Sequence, residues 1–150
     1  MNCYCCEHGE EETQAHIAEM VASMGYAIMT VPGQVPFHYT IGLWDRGLPE
    51  FVVMGLSPRQ GHVMLNMLVM FSLNEGMPAL NTPFDDISTM PSMLVEVDEI
   101  FRDEIFGSAM RHTENHGQIV QMLWPDKEGR FPGDPEFALE YLIRQPLLVC

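Results

Sequence analysis

A chain of 150 residues, 47% hydrophobic and 19% charged, fits one globular domain that can bury a core without disulfide or metal staples. Seven basic residues against twenty-one acidic ones leave a formal charge of −14, which excludes duplex nucleic acid as a partner because phosphate binding rests on Lys and Arg contacts. The longest apolar run, near residues 63–71, is interrupted by Asn66 and is too short to cross a bilayer; no Lys or Arg precedes Arg46, so a secretory or transit segment lacks its basic region, and a cytoplasmic setting without a membrane partner is expected.

Residues 1–12 read as a Cys-rich polar segment and residues 13–150 as a single domain. Thr13 is placed to cap a helix whose buried stripe is Ile17, Met20, Val21 and Met24. The preceding run Glu10, Glu11, Glu12 lies where the helix dipole favours it, and Gly25 suits the left-handed stop. Residues 26–31 read as a strand closed by Pro32 and Gly33. Residues 36–56, PFHYTIGLWDRGLPEFVVMGL, read as two further strands about a W-D-R-G turn. Three strands on short links favour an antiparallel meander.

Ser57-Pro58 supplies a capping hydroxyl and a proline at the first helical position. The helix that follows, to about residue 73, is apolar on most sides and is expected to be deeply buried. Residues 77–92 read as a loop. Beyond it come a strand at 93–97, a helix at 99–113 capped by Asp98, a strand at 118–124, a rigid turn and loop at 125–135, and a short helix near 136–144. Strands and helices are grouped rather than alternating, which predicts the α+β class: a mostly antiparallel sheet with helices packed on one side.

The N-terminal run Cys3-Tyr4-Cys5-Cys6-Glu7-His8 carries the ligand types that zinc selects. Cys3, Cys6 and His8 are the candidate metal ligands, with a remote residue such as His112, His116 or Cys150 completing a structural site. The thirteen methionines read as core filler, not copper ligands. Tyr39, mid-strand beside His38, either bonds a ligand or satisfies a buried backbone group. Glu50 opens an apolar strand, so it must be paired or solvated; it serves as a general base or ties a loop down. Gln121 lies in an apolar strand, and Trp124-Pro125-Asp126 sets a bulky platform and a carboxylate at that strand's end. No phosphate-binding glycine loop, G-x-S-x-G elbow or H-E-x-x-H motif is present, so no catalytic residue is assigned.

These blocks together resemble a bacterial family known only as a domain of unknown function, found often in actinobacteria. The resemblance rests on C-x-x-C (Cys3 to Cys6), F-x-Y-T-x-G-L (Phe37 to Leu43), G-L-P-E (Gly47 to Glu50), Q-x-x-W-P-D-x-x-G-R-F-P (Gln121 to Pro132) and Q-P-x-L (Gln145 to Leu148). Gly133 stands where that family commonly has Trp. The resemblance implies one intact domain and a shared site containing Tyr39, Thr40, Glu50, Gln121, Trp124 and Asp126, and it implies metal at the cysteines. The leading expectation is a domain that binds a small metabolite or nucleotide between the hairpin and the W-P-D loop. The alternatives are an enzyme using Glu50 or Asp126 as general base, and an acidic interaction, inhibitor or sequestering protein, such as a phage or immunity factor, that meets a basic partner.

Overall fold

The computed structural model describes residues 9–105 and 118–149. The first helix, α1 (Glu10–Met24), begins three residues before the expected cap, so Thr13 lies inside it and Gly9 takes the cap position. Gly25 stops the helix in the left-handed conformation, its amide donating to the Val21 carbonyl.

Strands β1 (Ala27–Val31), β2 (Phe37–Ile41) and β3 (Glu50–Met54) form the expected antiparallel meander. A single 3-10 turn (Trp44–Arg46) links the last two. Helix α2 (Pro58–Glu75) starts on a full capping box: the Ser57 hydroxyl accepts from the Gln60 amide while the Gln60 side chain takes the Ser57 amide. After the 77–92 loop come β4 (Met93–Glu96), α3 (Glu99–Ile105), β5 (Ile119–Leu123) and the short α4 (Leu139–Arg144). The expected final helix thus starts at Leu139, because Asp134 holds the Glu136 and Phe137 amides in a turn.

The sheet runs β1-β2-β3-β5-β4. It is mixed: β3 and β5 pair in parallel at its centre, and the pairs on either side are antiparallel. The α+β class stands, but the helices do not share one side. Ile17 of α1 joins Met29, Tyr39, Ile41 and Val52 on one face. Leu65, Leu68 and Val69 of α2 join Phe51, Val53, Val120 and Met122 on the other. Sheet alternation explains the split, since neighbouring residues of β3 and β5 point to opposite faces. Both central strands are buried throughout. Each such apolar side chain contributes roughly 1.5–3 kcal/mol, so β3 and β5 are the axis of the fold. No helix among the described residues is long and apolar enough to cross a membrane.

Candidate functional site

Glu50 is buried at the start of β3, with its carboxylate turned back under the 3-10 turn. Its Oε2 accepts from the Gly42 amide at 2.8 Å, and its Oε1 accepts from the Leu43 amide at 3.1 Å and the Thr40 hydroxyl at 3.0 Å. Thr40 Oγ1 in turn accepts from the Phe51 amide at 2.8 Å. Burial pushes the Glu50 carboxyl above the usual carboxylate range, and the amides and the hydroxyl offset that only in part. With its lone pairs taken by local donors, the group is placed to fasten the turn.

Gln121, Trp124 and Asp126 are also bound inward. Gln121 accepts from the Leu148 amide and donates to the Pro146 carbonyl. The Trp124 indole donates to the Met54 carbonyl at 2.8 Å, and the Gln145 carboxamide brackets the Trp124 backbone, accepting from its amide and donating to its carbonyl. The Arg144 guanidinium sits 5.6 Å from the indole centroid, within cation–π range. Asp126 accepts from the Glu128 and Arg130 amides and pairs with the Arg130 guanidinium. Burial pushes its carboxyl up, but those donors outweigh it and hold the group below the usual range. The chain after Gln118 does return beside the first hairpin, as β5 on β3. Tyr39 and Trp124 nevertheless belong to the two opposite faces of the sheet, so phenol and indole do not wall one cavity.

Cys3, Cys6 and His8, together with Cys5, His112, His116 and Cys150, lie outside the described residues. Among the described residues no group of three His, Cys, Asp or Glu side chains is placed to hold a metal.

Space for a ligand occurs instead along β4. One depression of about 440 Å³ is lined by Asn81, Met93, Val95, Pro132, Leu147 and Val149 among others, and a second of about 380 Å³ by Val97, Asp98, Glu99 and Arg102; Glu96 and Val149 line both. The Arg102 Nε is buried without a hydrogen-bond partner, and the Arg102 Nη2 stands 3.9 Å from Glu96 Oε1. Asn81 adopts a left-handed backbone, φ 62°, with its amide donating to the Leu94 carbonyl. Three sequence candidates hold this wall without lining it. Gln121 pins Leu148, and the Gln145 bracket on Trp124 fixes the chain entering Leu147. Asp126 closes the turn that leads to Pro132. Sequence reading missed Arg102 and Asn81 because one sits on an ordinary polar helix surface and the other in the unpatterned loop.

A second polar cluster lies at the β1 edge. Thr30 Oγ1 is 3.1 Å from His38 Nδ1 and 2.9 Å from His62 Nε2, and His38 Nε2 is 3.0 Å from the Leu56 carbonyl. A carbonyl only accepts, which assigns the His38 proton to Nε2; Thr30 then donates to His38 Nδ1 and accepts from His62. Burial lowers the pKa of His38 against a weaker upward pull from Leu56, and it lowers that of His62 with help from the neighbouring ring. A histidine held below its unfolded value of 6.5 leaves stability intact above that pH; below it, the unfolded chain takes up protons that the fold refuses. Unfolding free energies from urea denaturation are therefore expected to fall as pH drops from 6.5 toward the folded values, by at most about 1.4 kcal/mol per pH unit for each histidine. In His62→Gln, whose carboxamide still donates to Thr30, the slope should flatten. An unchanged slope would show that His62 takes no part in the pH dependence.

A family model described as a domain of unknown function, DUF4262, matches residues 20–138. No curated protein and no solved structure matches the chain.

Proposed function

The chain belongs to the DUF4262 family, a domain of unknown function, and from the β4 geometry we propose that it binds a small metabolite or nucleotide carrying a carboxylate or phosphate. The observation that supports this is the pair of depressions sharing Glu96 and Val149, about 380 and 440 Å³, within the usual size of small-molecule sites. Met93, Val95, Pro132, Leu147 and Val149 receive the apolar body of the ligand. Arg102 lines the second depression beside the carboxylates of Glu96, Asp98 and Glu99, and its guanidinium fork takes the anionic end, the role for which such a fork is suited. Tyr39, Thr40, Glu50, Gln121, Trp124 and Asp126 serve the site by fixing the sheet and the C-terminal wall. A structural zinc on Cys3, Cys6 and His8 belongs to the same reading, on the strength of the C-x-x-C spacing.

A thermal-shift panel of carboxylates and nucleotides tests it. A ligand at a hundred times its Kd adds about 2.7 kcal/mol to the folded state, a rise of several degrees for a domain of this size. Arg102→Ala should abolish that shift, and metal analysis of the same sample should find zinc. A panel without any stabilising compound, or a shift that survives in Arg102→Ala, would sink the proposal.

A further inference from the structure

The surface of α2 departs from what its composition predicts. The helix buries Gly61, Leu65, Leu68, Val69 and Ser72, yet Val63, Met67 and Met70 stand in a row on the outside, Met70 at 61% exposure. Two apolar hollows flank this row. One of about 240 Å³ is lined by Leu56, Arg59, Gln60, Val63, Met64 and Met90; the other, about 230 Å³, by Met67, Met70, Phe71, Asp86 and Ile87. Both fall below the range of metabolite pockets, and each is of a size to take one large side chain.

We infer that this face is the docking groove for a basic amphipathic helix of another protein. Val63 and Met70, one in each hollow, are seven residues apart on α2, about 10.5 Å along its axis. A helix laid alongside presents side chains at i and i+7 with the same spacing, which is the anchor pattern of helix-in-groove recognition. Methionine suits the floor because its flexible thioether adapts to whichever apolar side chain enters. The charge pattern selects the partner. Asp86 lines one hollow, Asp85 beside it and Glu75 at the end of α2 are exposed, and the chain as a whole carries −14; the other hollow carries the exposed Arg59, so the partner's basic residues belong over the Asp86 end. A second copy would bring the same acidic rim and the same net charge to the contact; Lys and Arg flanking two apolar anchors complement it.

The test uses the full chain and a fluorescein-labelled synthetic peptide of about 18 residues, five helical turns, with Leu on one stripe and Lys elsewhere. A scrambled peptide of identical composition is the comparison. At roughly physiological salt, where long-range attraction is screened, anisotropy should show the amphipathic peptide binding at least tenfold more tightly. Met67→Asp and Met70→Asp should each weaken it at least tenfold, and Asp86→Asn, an exposed change that leaves the core untouched, should weaken it severalfold. Leu142→Asp, on the exposed face of α4, should bind as the parent does; circular dichroism melts check that each variant is folded. Equal affinity for the scrambled peptide would mean bulk charge attraction and overturn the inference. Parent-like binding by folded Met67→Asp and Met70→Asp would do the same. So would light scattering that finds a dimer, broken by Met70→Asp, on which the peptide does not compete.

Discussion

Replacing Gly55 with alanine is expected to destabilise the domain by about 4 kcal/mol, against about 1 kcal/mol for the same change at Gly47. Both glycines are left-handed, φ 80° and 78°, so both variants carry the conformational cost of a side chain there. They differ in what the new methyl group meets. At Gly47 nothing lies within 4 Å, whereas at Gly55 a Cβ falls 1.9 Å from the Arg144 carbonyl oxygen and 3.3 Å from the Trp124 ring. A backbone oxygen does not rotate away, so the end of α4 must lift off β3. That displacement pulls on the Gln145 bracket, the Arg144 guanidinium over the indole and the bond from Trp124 to Met54. Urea denaturation of the two variants reads the difference directly. Equal losses would show that Arg144 yields cheaply and that the C-terminal segment is a loose cover, which would also remove the fixed wall of the β4 depression.

Much of the fold was legible because each signal had one cause and few competitors. Ser57-Pro58 marked a helix start, Gly25 a helix stop, and the alternation through 36–56 a hairpin; all three are found where the residues put them. The parallel β3–β5 pair was not legible, because strand order across a long connection leaves no local trace. Strict alternation from Phe37 would set Leu43 on the face of Tyr39 and Ile41, and Gly42 breaks it. Its φ of 107° turns the chain, so Leu43 packs with Phe51 and Leu65 on the face opposite Tyr39 and Ile41. The site was harder still. Buried polar residues in signature blocks attract attention equally whether they touch a ligand or fasten a turn, and here Gln121, Trp124 and Asp126 spend their bonds on the chain's own backbone. Arg102 gave no signal, because a lone arginine on a helix reads as solvated surface until a fold buries its Nε. Met67 and Met70 read as core for the converse reason: composition tells how apolar a helix is, and only the fold tells which of its faces is covered.

Glu50→Gln, nearly isosteric, is expected to cost about 3 kcal/mol. The carboxylate sits among donors only: the amides of Gly42 and Leu43, the Thr40 hydroxyl, and the Trp44 amide as well. A carboxamide keeps one acceptor and turns an NH₂ toward a buried N–H, so at least one donor loses its partner while a repulsive contact appears. Thr40→Val should cost about 2 kcal/mol by a related route, since it strips the Phe51 amide of its acceptor and leaves Glu50 one donor short, and Thr40→Ser should restore most of it. The two sites share one bond, so the double variant should lose less than the sum. Denaturation of the four proteins completes the cycle. This also decides what the carboxylate is for. A general base must have a lone pair to offer, and a group that fastens the 3-10 turn has none to spare. A neutral Glu50→Gln would mean that the turn holds without it, returning Glu50 to the list of candidate bases; a loss near the expected size assigns it to the frame.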